Sequence, residues 1–403
     1  MELPDLWNEF YSQHLMALLP KGVHWYWPNP PYYTGYEMGT LFDWDQYFEG
    51  LLLLYAGFPA HYLKNSIRIF LRMQHDDGFI PRAYQPGNPA AHGLDMVKPF
   101  LAQELVLCLQ AEGTLAWVRK EDRYERMCRY LEKWWTGLDR RGGGLSVWRN
   151  AGHTGMDNHY ERAGRDDASF CEGVDLNAYL VREADAMAIV AGDLGKAQDQ
   201  ARFTEQARAR ARGMRDTMWD DADGIFYDHH ALEDRPIKVK HVGIFAALWA
   251  GVATEAQAER LVREHLLNES EFWRPYPLPA LSASEPGYVQ GFLPGNKTGC
   301  CSWRAHTWMP TNYYAFQGLR RYGFLEEAQL LADRSWELFL RGRFSEYFTS
   351  ETGIGTGRKS FGGWTGLVLF LHPELLLGLD PTALEPDNRA LGAMRRWLIE
   401  QDA

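Results

Sequence analysis

The sequence predicts an all-α fold, with twelve antiparallel helices closing into one double-layered barrel. Apolar residues recur at helical spacing from end to end, convincing strands are few, and no Pro/Ser-rich linker or low-complexity tract splits the 403 residues. Leu63, Ile67, Phe70 and Leu71 share one helical face, as do Leu101, Leu105, Cys108 and Leu109, and Met127, Leu131 and Trp134. Segments of this kind fall at about 5–18, 45–56, 60–73, 96–112, 121–137, 175–192, 200–219, 239–250, 254–268, 306–322, 325–341 and 364–373. A further helix near 388–401 is expected to pack outside, and short strands have room in the loops 141–150 and 223–230. The reading is a single domain over residues 1–403.

Connections in such a barrel alternate between its two ends. Clusters of Gly, Pro, acidic and aromatic residues occupy the segments Tyr36 to Asp45, Asp76 to Lys98, Gly142 to Asp175, Asp220 to Lys238, Asn268 to Arg304 and Gly342 to Phe361. All six are odd-to-even connections and are expected at one end, whereas even-to-odd connections such as Ala56-Gly57-Phe58-Pro59 are short turns. One elaborated end is the layout of a pocket at one mouth.

Composition narrows the function. Residues are 46% hydrophobic and 14% aromatic, with 16 Trp, 20 Tyr and 20 Phe. Most such rings fill cores, but an excess of Trp beside carboxylates and amides suits a sugar cleft, where a pyranose face stacks on a ring. Net charge is −11 with no basic run, which argues against a nucleic-acid partner. The start, Met1-Glu2-Leu3-Pro4-Asp5, lacks the pattern of a signal peptide, and no stretch is long and apolar enough to span a membrane. A soluble, cytoplasmic protein is expected. The five cysteines, Cys108, Cys128, Cys171, Cys300 and Cys301, lack metal-type spacing and read as reduced thiols, Cys108 in the core. No cofactor or metal site is legible.

Glycosidic cleavage needs one acid to protonate the leaving oxygen and a second carboxylate to activate water or attack. The best candidates lie in Phe42-Asp43-Trp44-Asp45, Gly155-Met156-Asp157-Asn158 and Ser345-Glu346-Tyr347-Phe348. Each also has a plain reading: Asp43 or Asp45 as a helix cap, Asp157 as a turn residue, Glu346 as a solvated glutamate.

The order of these motifs resembles glycoside hydrolase family 63 and its relatives, the family 37 trehalases, most of all the short bacterial mannosylglycerate and glucosylglycerate hydrolases. Phe42-Asp43-Trp44-Asp45-Gln46-Tyr47-Phe48 is similar to the family's Trp-Asp-Ser-Tyr-Phe segment, and Gln74 with Asp77-Gly78-Phe79-Ile80-Pro81-Arg82 to its Asp-Gly-Phe-Ile-Pro loop. Gly155-Met156-Asp157-Asn158 matches the segment of the general acid, followed by Val174-Asp175-Leu176-Asn177-Ala178. Ser302-Trp303-Arg304 with Trp308, Pro310, Thr311 and Asn312 resembles a helix start, and Glu346-Tyr347-Phe348 with Phe361-Gly362-Gly363-Trp364-Thr365 the closing segment with the general base. The similarity runs from about residue 36 to 372.

The resemblance implies an inverting α-glycosidase on an (α/α)6 barrel, acting on a small α-glucoside or α-mannoside. Asp157 would be the general acid and Glu346 the general base. Asp43, Asp45, Gln74 and Arg82 would hold sugar hydroxyls, with Tyr36, Gln103, Arg304 and Trp308 beside them and Trp44, Trp303 and Trp364 stacking or walling the pocket. Asp175 would line the site or cap its helix. Two departures stand out. His159-Tyr160-Glu161-Arg162 replaces a Ser-Pro-Arg run, and Ala305-His306-Thr307 replaces Gly-Pro-Val. Both are expected on the leaving-group side, where a glycerate carboxylate needs a cation from Arg82, Arg162, Arg165 or Arg304. Two alternatives stay open. One is a sugar isomerase or 2-epimerase using a histidine pair from His153, His159, His241 and His306; the other is a non-catalytic sugar-binding relative.

Overall fold

The computed structural model describes residues 3–88, 93–291 and 302–401. Cys300 and Cys301 lie outside the described residues, as does 292–301 of the loop before Arg304. The helices emerge where the apolar periodicity places them. They are Asp43–Tyr55, His61–Arg72, Leu101–Glu112, Arg123–Glu132, Val174–Asp193, Ala197–Met218, Met309–Arg321, Leu325–Gly342, Val368–Leu377 and Ala390–Gln401, with shorter turns at Ala246–Trp249 and Glu255–Arg260. Described strands are two or three residues long and make small antiparallel ladders. None of the described helices is long and apolar enough to cross a membrane.

Two kinds of helix alternate along the chain. Every residue of Asp43–Tyr55 is buried, and Met309–Arg321 is buried from Met309 to Leu319. The helices that follow them are one-sided: His61–Arg72 buries Leu63, Ile67, Phe70 and Leu71, and Leu325–Gly342 buries Leu331, Trp336, Leu338 and Phe339. A helix apolar all round must be enclosed, whereas one with a single apolar stripe faces solvent on the other side.

The chain falls into two compact units. The first is drawn from residues 1–133, 182–207 and 360–403, the second from 134–181 and 208–359. In the first, the ladder of Leu41–Phe42 with Ala83–Tyr84 leads directly into the helix Asp43–Tyr55. In the second, His306–Thr307, Tyr347–Thr349 and Gly355–Thr356 form one antiparallel sheet. That sheet corrects an expected boundary. The helix predicted from 306 begins at Met309, because residues 306 and 307 pair with Thr349 and Phe348. Likewise the helix expected from 96 begins at Leu101, after Pro99.

Local caps do not announce these starts. Phe100, before Leu101–Glu112, has no capping side chain. The cap comes from Glu183, whose carboxylate accepts from Ala102 N at 2.7 Å, Gln103 N at 3.2 Å and the Tyr130 hydroxyl at 3.1 Å. It satisfies N–H groups that every helix leaves open at its first turn. Burial raises the Glu183 carboxyl to about 7, against those donors, which favour the charged form. Cys108 is buried, as expected.

Replacing Glu183 by Ala is expected to cost about 1–3 kcal/mol in urea unfolding, because buried N–H groups lose their acceptor. Glu183→Gln, which keeps one acceptor oxygen, should lose less. Because the folded-state value lies above the ordinary 4.5, folding binds the proton more tightly. The stability of the wild type relative to Glu183→Gln should therefore be greatest below about pH 4.5 and decline as pH rises to about 7. A pH-independent difference would remove Glu183 from this role.

Candidate active site

Both proposed catalytic carboxylates lie in the second unit. Asp157 sits at the second position of a tight turn closed by His159 N to Met156 O at 3.0 Å. Gly155 enters that turn at φ +83, a left-handed conformation that glycine adopts without a Cβ clash. Asp157 itself is half-buried. The residues after it grip one segment: Asn158 Oδ1 accepts from Trp303 N at 3.0 Å, and Arg304 Nη2 donates to Asn158 O at 2.6 Å. Arg304 Nη1 donates to Glu161 at 2.6 Å, and His159 Nε2 donates to Trp303 O. Burial above all, then His241, Arg162 and Arg304, pushes His159 well below the ordinary histidine value, so the ring is neutral.

Arg162 completes the turn's support. Its side chain sees no solvent, and it makes a two-pronged pair with Asp175 at 2.7 and 2.9 Å and a third contact with Asp228 at 2.6 Å. Burial opposes the charge, but the two carboxylates hold the guanidinium protonated. Burial would likewise raise Asp228, yet Arg162 and His241 bring it below the ordinary aspartate value. Asp228 also accepts from Val174 N at 2.8 Å, capping the helix Val174–Asp193, while Asp175 accepts from Trp148 Nε1 at 2.9 Å. Arg162 is therefore committed inside the fold and is corrected from the set of cations expected to meet a ligand. Arg165 is exposed, its guanidinium 4.1 Å from the Tyr160 ring centre.

Glu346 precedes the strand Tyr347–Thr349 and is 4% exposed. Its Oε2 accepts from Arg358 N at 2.9 Å. Gly357 lies so close that a Cβ there would come within 2.6 Å of that oxygen, at a φ of +67. Beside it the rings of Trp303 and Trp308 stack with centres 3.8 Å apart, and Trp308 stacks on Tyr347 at 4.3 Å. His306, edge-on to Tyr347, is brought down to about 4 by burial and is neutral.

The first unit gathers a second set. Asp43 is paired with Lys98 Nζ at 3.1 Å and accepts from the backbone of Lys98 at 2.9 Å and Trp44 at 2.8 Å. Arg82 O accepts from Asp43 N, and its guanidinium lies 3.8 Å from Asp95. The Tyr36 hydroxyl donates to Asp45 at 3.0 Å. Burial first, then Asp43, raises Asp45 to about 7, against Lys98, Arg82 and Tyr36. Trp364 and Phe361 meet the Tyr36 ring edge-on.

Gln74 and Gln103 differ. Gln74 Nε2 donates to Arg126 O at 2.8 Å, and Gln103 donates to Pro99 O at 2.9 Å and accepts from Arg182 at 2.9 Å. Gln103 is engaged at both ends and is not counted among the sugar-holding groups below, whereas Gln74 keeps an Oε1 without a hydrogen bond and stays among them. Sequence reasoning missed Lys98, Asp228 and the supporting roles of His159 and Glu161; their partners lie 54 to 144 residues away. Among the described residues no group of three or more His, Cys, Asp or Glu is arranged to hold a metal ion.

Residues 41–365 match the family described as the mannosylglycerate hydrolase MGH1-like glycoside hydrolase domain. A mannosylglycerate hydrolase of Rubrobacter radiotolerans is 28% identical over 213 residues, 53% of this chain and 46% of that protein. One of Thermus thermophilus is 30% identical over 158 residues, 38% of this chain and 35% of its own. The matched stretches thus cover less than half the length of these relatives. Among solved structures, a family 63 mannosylglycerate hydrolase of Thermus thermophilus in complex with Tris and D-glycerate aligns with a TM-score of 0.73 and 19% identity, over 90% of this chain and all of that one. The neutral trehalase of Saccharomyces cerevisiae aligns at 0.64 and 18%, over 98% and 86%. The fold is the α/α-barrel class of these neighbours. By the match over residues 41–365, the chain belongs to the MGH1-like glycoside hydrolase domain family, as the order of its motifs led one to expect.

Proposed function

We propose that the chain hydrolyses a small α-glycoside with inversion. Asp157 donates a proton to the glycosidic oxygen, and Glu346 takes one from the water that attacks the anomeric carbon on the opposite face. The observation that carries this reading is a shared anchor. Asn158, His159 and Glu161, just after the acid, hold Trp303 and Arg304, while the strand that starts one residue after Glu346 pairs with His306–Thr307. Trp308, sandwiched between Trp303 and Tyr347 and donating to Ser302 O, is a packing group rather than the sugar-binding ring expected of it, and its stack ties the segment held by the acid's turn to the residue after Glu346. Asp43, Asp45, Gln74, Arg82 and Tyr36 are assigned to hydroxyl recognition, with Trp44 and Trp364 beside them.

For the leaving group, Arg304 is the cation to consider. The Arg304 side chain is itself enclosed, 1% exposed, but that of its partner Glu161 is 42% exposed, so a ligand carboxylate would reach the guanidinium by exchange with Glu161. A glycerate-like acid, as bound in the Thermus structure, fits that exchange. An isomerase reading needs two histidines that trade protons. Here His159 is fixed on Trp303 O, and His153 accepts from Arg149 N.

Asp157→Asn and Glu346→Gln should each lose about 10²–10⁴-fold in kcat while keeping the wild-type unfolding midpoint. Wild-type rates in either variant remove that residue from its role. NMR of the first-formed sugar should show the β-anomer; an α-anomer refutes inversion. In a panel of glucosylglycerate, mannosylglycerate, trehalose, kojibiose, nigerose and isomaltose, Glu161→Gln should lower KM for the glycerate glycosides alone. An equal effect on the neutral disaccharides excludes Arg304 as the carboxylate's partner.

A further inference from the structure

The hairpin loop between Val23–His24 and Tyr32–Tyr33 carries Trp25-Tyr26-Trp27-Pro28-Asn29-Pro30-Pro31. Tyr26, 37% exposed, lies against Gly39, where a Cβ would come within 2.6 Å of its ring. Trp25 and Trp27 turn outward and are 69% and 85% exposed, a large apolar area left in water with no packing role. The loop is nonetheless fixed. Asn65 Nδ2 donates to Pro31 O at 2.6 Å and Arg72 to Asn29 Oδ1 at 3.3 Å, tying it to the helix His61–Arg72.

Facing the loop is a third indole, Trp117, with the Arg68 guanidinium 5.0 Å and the Arg123 guanidinium 5.5 Å from its ring centre. Between them runs a groove of about 710 Å³, lined by the three tryptophans, Arg68, Arg72 and Arg123. Its charges are unevenly matched. Arg123 is paired with Glu121, but Arg68 and Arg72 have no ion pair among the described residues. Arg68 uses one nitrogen on Asn65 at 3.0 Å, and its Nε is enclosed without a hydrogen bond. Burial first, then the repulsion of Arg123 and Arg72, lowers its pKa against the nearby carboxylates of Glu121 and Glu112, and a further anion would act in the same sense as those carboxylates. At the groove's edge Glu121 and Asp122 are held at φ 58 and 49, two successive non-glycine residues in the left-handed region, where strain gathers at binding sites.

We propose that this groove binds a small acidic sugar, its ring face on an exposed indole and its carboxylate or phosphate on Arg68 and Arg72. Flat indoles offer the ring a stacking face, and adjacent guanidinium forks match the two oxygens of either anion. None of these residues is assigned to catalysis, and the proposal stands whether or not the glycosidase reading holds.

The test is a tryptophan-fluorescence titration with glucuronate, glucose 6-phosphate, methyl α-glucoside and inorganic phosphate. It is run on the wild type, Arg72→Gln and Trp27→Ala. At least one acidic sugar should bind the wild type, and the tighter of the two identifies the anion. Its affinity should fall about tenfold or more in both variants, with turnover of any glycoside substrate unchanged. The neutral glucoside should give no response that either variant removes. Isotherms that are the same in all three proteins overturn the site. Phosphate binding as tightly as glucose 6-phosphate and indifferent to Trp27→Ala overturns the sugar and leaves an anion only.

Discussion

The second unit is organised around a positive charge that never meets water. Arg162 spends all three guanidinium nitrogens on Asp175 and Asp228, and each of those carboxylates carries another duty. Asp228 caps the helix Val174–Asp193 and stands 3.2 Å from His241; Asp175 receives the Trp148 indole N–H. A buried ion pair of this kind adds little net stability over a well-packed apolar alternative, because both partners lose their hydration. Its consequence is geometric. Removing Arg162 strands two carboxylates in an apolar interior, and removing either carboxylate leaves guanidinium nitrogens without an acceptor, so the three groups fix one another's positions. Arg162 closes the short helix that begins three residues after Asp157, and the position of the acid's turn is thereby tied to the start of a 20-residue helix.

The first unit solves a related problem with a different balance. Lys98 is buried beside Asp43, and Arg82 adds a second positive charge, yet Asp45 still titrates at about 7. Burial dominates, and the nearer acid, Asp43, takes most of the available compensation. A carboxyl poised near neutrality both donates and accepts hydrogen bonds, which suits a group facing hydroxyls that do the same. A carboxylate held fully ionised by a close cation, like Asp228, is committed to acceptance. The two units thus hold acids of opposite character, and the difference follows from how many cations sit within contact of each.

The helices were legible in the sequence, because apolar residues at three- and four-residue spacing reflect burial directly. Two starts were not, those expected at 96 and 306 and found at Leu101 and Met309, and the groups that cap the helices were not. Leu101–Glu112 is capped by Glu183 and Val174–Asp193 by Asp228, side chains 81 and 54 residues away from the N–H groups they satisfy. The helix expected from 306 yields its first residues to a strand pairing with 348–349. Asp157 and Glu346 stood out through their neighbours, glycine and aromatic residues in loops. The supporting groups did not: Lys98 and Glu161 read as ordinary charged residues, and Arg162 as a cation for a ligand, until their partners are brought from elsewhere in the chain. Gln103 misleads for the converse reason: a polar residue beside a motif is as well suited to bracing its neighbours as to binding sugar.

The stretch 159–162, a departure from the family pattern, illustrates how such a difference is absorbed. Each of three residues there has a structural partner: His159 on Trp303 O, Glu161 on Arg304, Arg162 on the Asp175–Asp228 pair. Two of the three act on the same short segment, 303–304, from which the chain runs on to the stacked Trp308. By clamping that segment, these residues hold the position of the turn before them. Within the clamp the partners differ in enclosure, with Arg162 sealed and Glu161 open to solvent. Variation is therefore cheapest at Glu161, where an exposed carboxylate is readily replaced by water or by another acid, and most costly at Arg162, where no replacement for the lost charge can enter.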